Sequence, residues 1–438
     1  MVNLILDMFP DRVNSQGKQH IFTPHEVAED MIHKIPNGEF IYGNTFLDPY
    51  CKSGVFLENI YQRLMQSPDL VSRFSDRFER HKYILKNQIF GISPTEECRA
   101  ISIRTVYGDI NVANNIICLG NKYLDIIKNK DKQFLCKLLE REFGRVKFNV
   151  VALNPPYNKG IDIDFINKAY DLSTDYVIAI TPAKWQTAEA DQKISSNMSY
   201  GEFREKIVPH MSYVCFYPNC SDVFNIQERS GITYFLLEKT NNTDICTVEN
   251  KSSYQPLLNS VHRRKITNAE SLLNIVNMVI DYLGNYKSFK FVDTQGEYAV
   301  NIGKCIRNER GKKDMYQALG IISYNTGKAS VLENTEIIKR IDNKFKTTIE
   351  NSEIIFQDND IKKCESFESW LTSKFVRFFL LGNISTRSDI FNDNYFRFVP
   401  APPSGKFDHI YTDEELYKTF NLPQEYIDII EAIIKERK

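Results

Sequence analysis

The segment Phe148-Asn149-Val150-Val151-Ala152-Leu153-Asn154-Pro155-Pro156-Tyr157 decides the fold class of this chain. Its first six residues form a short, β-branched apolar run closed by prolines, which predicts a buried strand that ends at Asn154. Two consecutive prolines fix φ and lack backbone N–H groups, so the turn is stiff. An amide and an aromatic ring are therefore held at the carboxyl end of a strand, where open α/β sheets bind ligands.

This loop has two interpretations. In the first, a planar base stacks on Tyr157 while Asn154 hydrogen-bonds its exocyclic amine. In the second, the loop is a proline turn whose tyrosine faces the core. The tetrapeptide alone leaves both interpretations open.

Composition limits the class of protein. The 438 residues allow two or three domains, and a hydrophobic share of 42% supports sizeable cores. A net charge of −1 excludes a globally basic nucleic-acid binder, so any such surface must be local. The 9 cysteines are scattered without a C-x-x-C pair, which predicts buried thiols rather than disulfides or a metal site.

The lack of a long apolar run and of a signal peptide predicts a cytoplasmic protein that does not enter a membrane. We find no apolar run of about 18 residues, the length that spans a bilayer. The apolar segment 1–10 is too short and too acid-interrupted for a signal peptide.

Strand and helix patterns alternate from about Gly43 to Lys239. The predicted strands cover 45–47, 88–92, 106–109, 148–153, 176–180, 214–217 and 232–237. The predicted helices cover 26–35, 53–65, 95–104, 165–172 and 202–209, with a charged helical insert at 122–145. This βαβ alternation predicts an α/β fold with a doubly wound, Rossmann-like and mainly parallel sheet.

The pattern changes at about Thr240. Residues 240–265 are polar, and the remainder mixes helices, short strands and Asn-rich turns, ending in two amphipathic helices within 412–438. We therefore predict two domains, 1–240 and 241–438, of which the second is mixed α+β.

Three further segments lie at predicted strand or helix edges. His20-Ile21-Phe22-Thr23-Pro24 precedes a helix, with Thr23 as its cap and Pro24 at its first position; alone, this is an ordinary helix start. Asp48 ends a strand, and the turn through Pro49, Ser53 and Gly54 opens a helix, which suits a small anionic or zwitterionic ligand. Tyr107-Gly108-Asp109 places a second carboxylate at a strand end.

These segments, in this order, resemble the gamma-class N6-adenine DNA methyltransferases of restriction–modification systems. Those enzymes carry an F-x-P-like segment, then D-P-x-C-G-S-G, then the NPPY loop, then a target-recognition domain. The resemblance covers most of 20–240 and includes Asp222-Val223-Phe224 and the strand that follows Gly231. It implies a methyltransferase fold, S-adenosylmethionine as cofactor, and a DNA target-recognition domain at 241–438.

The resemblance also implies roles for individual residues, and no metal. The cofactor would be held by Phe22, Thr23, Pro24, Asp48, Pro49, Cys51, Ser53, Gly54, Ser93, Asp109 and Ile110. Within this set, Asp109 would accept from the cofactor's adenine amine. The target base would be held by Asn154, Pro155, Pro156, Tyr157 and Phe224.

The chemistry explains these residue types. The N6 lone pair is conjugated with the purine ring, so two acceptors, the Asn154 side chain and the Pro155 carbonyl, would favour a more nucleophilic nitrogen. Tyr157 would stack on the flipped base, with Phe224 on another side. Direct transfer needs no covalent intermediate, so Cys51 is not predicted to be a nucleophile.

Two positions depart from the family pattern. Lys52 stands where a glycine is usual. Ser93 stands where an acid that binds the ribose is expected, and Ser93, Thr95 or Glu96 would have to replace it.

The second half carries 27 basic and 27 acidic residues. Its local basic groups are candidates for phosphate contacts or simply solvated surface. They comprise Arg263 and Arg264 with Lys265; Lys304, Arg307, Arg310, Lys312 and Lys313; and, more loosely, Lys374, Arg377 and Arg387. The polar turn 323–328 is a candidate for reaching bases.

Three functions remain open from the sequence. The first is adenine-N6 methylation of duplex DNA, for which DNA and a cognate restriction endonuclease are the implied partners. The second is an NPPY methyltransferase that acts on RNA or on a protein glutamine amide. The third is a DNA-binding module with a degraded cofactor site, which rests on Lys52 and Ser93.

Overall fold

A computed structural model describes residues 22–128, 132–157, 160–186, 193–194, 198–217, 220–224, 231–241, 245–250, 261–265, 276–290, 294–302, 332, 335–342, 344–345, 353–383, 396 and 399–437. The chain divides into two compact units. The first comprises Met1–Val248 with His262–Ser271, and the second comprises Glu249–Val261 with Leu272–Lys438.

The first unit is built on a large, mainly parallel sheet. Its strands are β1 (Phe46–Asp48), β2 (Ile89–Ser93), β3 (Ile116–Cys118), β4 (Phe148–Leu153), β5 (Ser173–Pro182), β6 (Met211–Tyr217) and β7 (Ile232–Glu238). The sheet continues with β8 (Ile245–Asn250) and β9 (Val261–Lys265), of which residues 245–248 and 262–265 belong to this unit. Over the described residues the order is β3-β2-β1-β4-β5-β7-β6-β8-β9. The pairs from β3 to β5 are parallel, and β7 lies antiparallel between β5 and β6. The predicted fold class is confirmed.

Helices cover both faces of this sheet. They are α1 (His25–Lys34), α2 (Val55–Gln66), α3 (Pro68–Arg73), α4 (Arg77–Asn87), α5 (Glu96–Tyr107), α6 (Tyr123–Lys128), α7 (Lys132–Phe143), α8 (Ile161–Leu172), α9 (Tyr200–Ile207) and α10 (Ser221–Phe224). Single 3₁₀ turns occupy Asn37–Glu39, Gly120–Lys122, Ala183–Gln186 and Val208–His210. Helix α2 contacts α1, α4 and α5, whereas α8 contacts α6, β4 and β5.

Local signals set the helix boundaries. Ser67 caps α3, with Pro68 in its first turn, and Asp76 caps α4 through the N–H groups of Phe78 and Glu79. Thr95 caps α5 by accepting from the Cys98 N–H at 3.1 Å. Gly108, with φ of +79°, ends α5 in the left-handed conformation that favours glycine.

One sequence prediction fails in this region. The strand predicted at 106–109 is the last turn of α5 and its cap, and the strand that pairs with β2 is β3. Helices α3 and α4 fill the segment between α2 and β2, which the sequence analysis left unassigned.

The second unit combines a small sheet with helices. Its described strands β10 (Tyr298–Ile302), β11 (Glu336–Ile341), β12 (Lys344–Phe345) and β13 (Glu353–Asp358) form an antiparallel sheet in the order β12-β11-β10-β13. Its described helices are α11 (Val276–Leu283), α12 (Ile361–Thr372), α13 (Lys374–Asn383), α14 (Asp413–Thr419) and α15 (Gln424–Ile433). An aromatic core holds them together, with Phe367 stacked on Phe356 at 4.4 Å between ring centroids.

Among the helices in these ranges, none is long and apolar enough to cross a bilayer.

Candidate functional site

The predicted site segments that contain Asp48, Ser93 and Asn154 meet at the carboxyl edge of the sheet. Strand β1 lies between β2 and β4, with Asp48 opposite Gly91 and Leu47 opposite Val151. All three strands run in the same direction, so the segments that follow Asp48, Ser93 and Leu153 are neighbours. This adjacency brings the predicted cofactor loop beside the predicted target loop.

The loop after β1 is anchored to β2 and α5. The Cys51 N–H donates to the Ile92 carbonyl at 2.8 Å, and the Ser93 hydroxyl donates to the Cys51 carbonyl at 2.9 Å. The Cys51 thiol in turn donates to the Ser102 hydroxyl at 3.1 Å. Ser93 is fully buried, and its hydrogen bond to the Cys51 carbonyl supports the loop. This residue stands at the position where the family pattern has an acid.

Asp48 lies within this loop with 3% of its surface exposed. One carboxylate oxygen accepts from the Tyr50 N–H at 2.9 Å. Burial raises the pKa of Asp48 to about 7, although the Tyr50 N–H and the charge of Lys52 oppose the rise. Burial likewise raises the pKa of the Cys51 thiol well above its usual value.

Gly54 begins α2 in a conformation that needs glycine. Its φ is +80°, and it offers no side-chain acceptor to the first N–H groups of the helix. A β-carbon at this position would lie 3.1 Å from the Ser102 Cα atom. The loop can pack this closely on α5 only because residue 54 lacks a side chain. Ser53, just before it, is half-buried.

The target loop contacts the N-terminal segment. Asn154 is 2% exposed, and its amide nitrogen donates to the Thr23 hydroxyl at 2.8 Å. Because the nitrogen faces Thr23, the amide oxygen is the end that faces away from Thr23. Pro155 and Pro156 are buried, whereas Phe22 and Pro24 are half-buried.

This contact corrects one prediction. Helix α1 begins at His25 with Pro24 as its N-cap residue, and that cap has no side-chain hydrogen bond. Thr23 thus stands one residue too early to cap the helix. Its hydroxyl accepts from Asn154 instead, so the segment is more than an ordinary helix start.

Tyr157 and Phe224 belong to one apolar cluster with Tyr217 and Cys220. Tyr157 is 8% exposed, and Phe224 packs edge-on against Tyr217 at 6.1 Å between centroids. Both predicted stacking residues are therefore buried in the core of the first unit, and in this conformation Tyr157 is packed against protein.

A buried polar chain, which the sequence analysis missed, supports the element that follows the target loop. In the first turn of α8, Asp162 accepts from the Thr181 hydroxyl at 2.5 Å. The Thr233 hydroxyl donates to the Thr181 carbonyl and accepts from the Trp185 indole. Burial raises the pKa of Asp162 to about 6. In the sequence, Thr181-Pro182 at the end of β5 is the feature that could have indicated these contacts.

Aromatic packing also holds the loop after β1, and this too was missed. The Tyr123 hydroxyl donates to the Pro49 carbonyl, and its ring lies 6.0 Å from that of Tyr50. Phe165 of α8 packs edge-on against both rings. Helices α6 and α8 thus reach the predicted cofactor loop.

Asp109 and Ile110 lie elsewhere, which corrects their assignment to the cofactor site. Helix α5 starts after the carboxyl end of β2 and runs back for 12 residues, about 18 Å. At its far end the Tyr107 hydroxyl contacts Asn115, beside the amino ends of β2 and β3. Asp109 is exposed and accepts from the Asn111 N–H at 2.9 Å.

The predicted phosphate contacts separate into two groups. Lys304, Arg307, Arg310, Lys312, Lys313 and Arg387, the turn 323–328, and the side chains of Arg263 and Arg264 lie outside the described residues. Lys374 and Arg377, by contrast, are buried. Lys374 pairs with Glu431 and Glu436, and Arg377 donates to the Lys435 carbonyl at 2.9 Å. Their interpretation as DNA-contacting surface is wrong.

No cluster of three or more potential metal ligands occurs in the part of the chain that the structure describes.

Among curated proteins, the chain is similar to an adenine-specific methylase. No family model matches the chain. An uncharacterized adenine-specific methylase of Mycoplasma pneumoniae is 22% identical over 352 residues, which cover 64% of this chain and 78% of that protein.

Two solved structures are also similar. The modification subunit of a putative type I restriction enzyme from Vibrio vulnificus matches 71% of this chain and 61% of its own length, with 13% identity and a TM-score of 0.42. The EcoKI M protein, also of a type I restriction enzyme, matches 76% of this chain and 66% of its own length, with 13% identity and a TM-score of 0.40. The chain spans less than two thirds of either protein. The resemblance to adenine-specific methyltransferases predicted from the sequence is confirmed by the Mycoplasma pneumoniae relative.

Proposed function

We propose that this chain transfers a methyl group from S-adenosylmethionine to N6 of an adenine in duplex DNA, within a restriction–modification system. The observation that carries the proposal is the hydrogen bond between Asn154 and Thr23 at the carboxyl edge of the sheet. It joins the segment predicted to hold the donor to the loop predicted to hold the acceptor. A methyl transfer needs these two ligands side by side.

The residues of the β1 loop fit a donor that carries an amino acid. Asp48 supplies a buried carboxylate for an ammonium group. Helix α2, whose N-cap residue is Gly54, supplies N–H groups and the positive end of a helix dipole for a carboxylate. When bound, S-adenosylmethionine supplies an electrophilic methyl group on a sulfonium.

The target loop would orient the nucleophile. The Asn154 amide oxygen and the Pro155 carbonyl accept the two N6 hydrogens, which concentrates electron density on that nitrogen. These two acceptors would hold N6 while it gains the methyl group supplied by the donor and gives up one of its two hydrogens as a proton. Tyr157 and Phe224 would supply the apolar walls for a base flipped out of the duplex.

Tritium transfer from labelled S-adenosylmethionine tests the proposal. Unmethylated duplex DNA, RNA and a protein mixture are offered in parallel, and the labelled product is hydrolysed and identified. We expect label in N6-methyladenine from DNA. Label confined to RNA or to a glutamine amide would refute the DNA assignment. Failure of the wild-type chain to bind S-adenosylhomocysteine would favour a degraded cofactor site.

A matched pair of variants tests the role of the loop. Asn154→Ala removes the acceptor for N6, so transfer should fall about 10²-fold or more, the cost of losing one oriented transition-state contact. Asn111→Ala changes an exposed asparagine at the opposite edge of the sheet and should transfer normally. Calorimetry with S-adenosylhomocysteine should show binding by both variants. An Asn154→Ala protein that has lost donor binding would contradict the role assigned here.

A further inference from the structure

The loop after β1 buries two groups of opposite charge. Asp48 is 3% exposed and Lys52 is 5% exposed. Each acts electrostatically on the other, and burial lowers the pKa of Lys52 to about 8 while it raises that of Asp48. Burying an ammonium is costly, and the opposing charge of Asp48 offsets part of that cost.

Lys52 occupies its position without backbone strain. The described non-glycine residues with positive φ are Leu332, Asp342 and Asn421, so Lys52 lies outside the left-handed region. The Ser102 hydroxyl donates to the Lys52 carbonyl at 3.2 Å and fixes the backbone. The ammonium nitrogen lies 5.5 Å from the centroid of the Tyr50 ring. The backbone and side chain are thus held within the loop predicted to bind the donor.

We propose that Lys52 binds the carboxylate of the amino-acid part of the methyl donor, in a site where Asp48 takes the ammonium. This assignment rests on the proposed function and deepens it. An amino acid carries an ammonium and a carboxylate on one carbon atom. A site that binds both groups needs an acidic and a basic side chain close together. Asp48 and Lys52 supply that pair from a single turn of chain.

The charge of the donor strengthens the argument. S-adenosylmethionine has a positive sulfonium, which a lysine ammonium would repel. The carboxylate is the only negative group of the donor, so a buried lysine improves binding only when it meets that group. Lys52 therefore selects a donor that keeps its carboxylate.

The test compares two ligands and four proteins by isothermal titration calorimetry. The ligands are S-adenosylhomocysteine and its decarboxylated analogue. The proteins are the wild type, Lys52→Met, Lys52→Arg and the control Lys86→Met, which changes an exposed lysine at the end of α4. Thermal unfolding of each protein checks that it is folded. If Lys52→Met does not fold, the comparison of the two ligands is made with Lys52→Arg.

We expect Lys52→Met to weaken S-adenosylhomocysteine binding by about 10- to 100-fold, as loss of a charged hydrogen bond predicts. Its affinity for the decarboxylated analogue should be unchanged or higher. Lys52→Arg should retain most of the preference for the carboxylated ligand, and Lys86→Met should match the wild type. Equal weakening of both ligands, or no weakening of either, overturns the assignment.

These outcomes separate the inference from the proposed function. Carboxylate-dependent binding through Lys52 without label in DNA would leave the inference standing and refute the DNA substrate. Label in N6-methyladenine together with unchanged binding by Lys52→Met would support the proposed function and refute the role of Lys52.

Discussion

Replacing Gly54 by alanine should destabilise the protein through two separable costs. The first is conformational, because φ at residue 54 is +80° and an L-residue there costs about 1–2 kcal/mol. The second is steric. The new β-carbon would lie 3.1 Å from Ser102 Cα and 3.2 Å from the Ser102 carbonyl oxygen. These are backbone atoms of α5 that cannot rotate away, so crowding adds about 1–3 kcal/mol.

Gly108→Ala provides the matched control. Its φ of +79° is nearly the same, but no atom lies within 4 Å of the position that its β-carbon would occupy. It should therefore lose about 1–2 kcal/mol of unfolding free energy, the conformational cost alone. Gly54→Ala should lose about 2–5 kcal/mol, the sum of both.

Urea unfolding at constant m-value measures both losses. Calorimetry with S-adenosylhomocysteine adds a functional readout, because displacement of the β1 loop should weaken donor binding in Gly54→Ala and leave Gly108→Ala normal. Equal losses of stability in the two variants would refute the close packing of the loop against α5.

Two further predictions concern the buried carboxylate and the second unit. In Asp48→Asn, the unfolding free energy relative to the wild type should rise between about pH 4 and pH 7. The raised pKa of Asp48 means that the wild type loses stability as pH climbs from the unfolded towards the folded value; a pH-independent difference in urea unfolding would contradict this. Phe367→Ala should cost the second unit about 3–5 kcal/mol, because the ring is fully buried and stacked on Phe356. Phe134→Ala, at a ring that is 50% exposed, should cost about 0.5 kcal/mol or less, and similar losses for the two would refute the packing argument.

The sequence predicted the sheet well where the local signal was strong. The apolar run before Asn154 is strand β4 with the predicted bounds, and the helix expected at 26–35 is α1. Both patterns reflect burial of one face or both faces of a single element, which short stretches of sequence encode directly.

Asp109 shows where a local signal misleads. Val106-Tyr107 before a Gly-Asp pair is apolar and β-branched enough to suggest a strand, yet it is the last turn of α5. The chain there is helical because it packs against α2 and β3. Tertiary contacts override weak propensity in such short segments.

Lys374 and Arg377 show a second limit. A sequence identifies basic residues but not their partners, and both were grouped as surface. The carboxylates that pair with Lys374 belong to residues 431 and 436, more than fifty positions away. Only the folded second unit brings them within reach.

The sequence by itself determined the alternation of strands and helices in the first unit, the stiffness of the Asn-Pro-Pro-Tyr turn and the position of an acid at a strand end. Each of these depends on residues within a few positions of one another. The tertiary structure decided which strand ends are neighbours, that Thr23 meets Asn154 across 131 residues, and that Asp109 lies at the opposite edge. Those outcomes depend on how parallel strands align and helices pack, which no local pattern specifies.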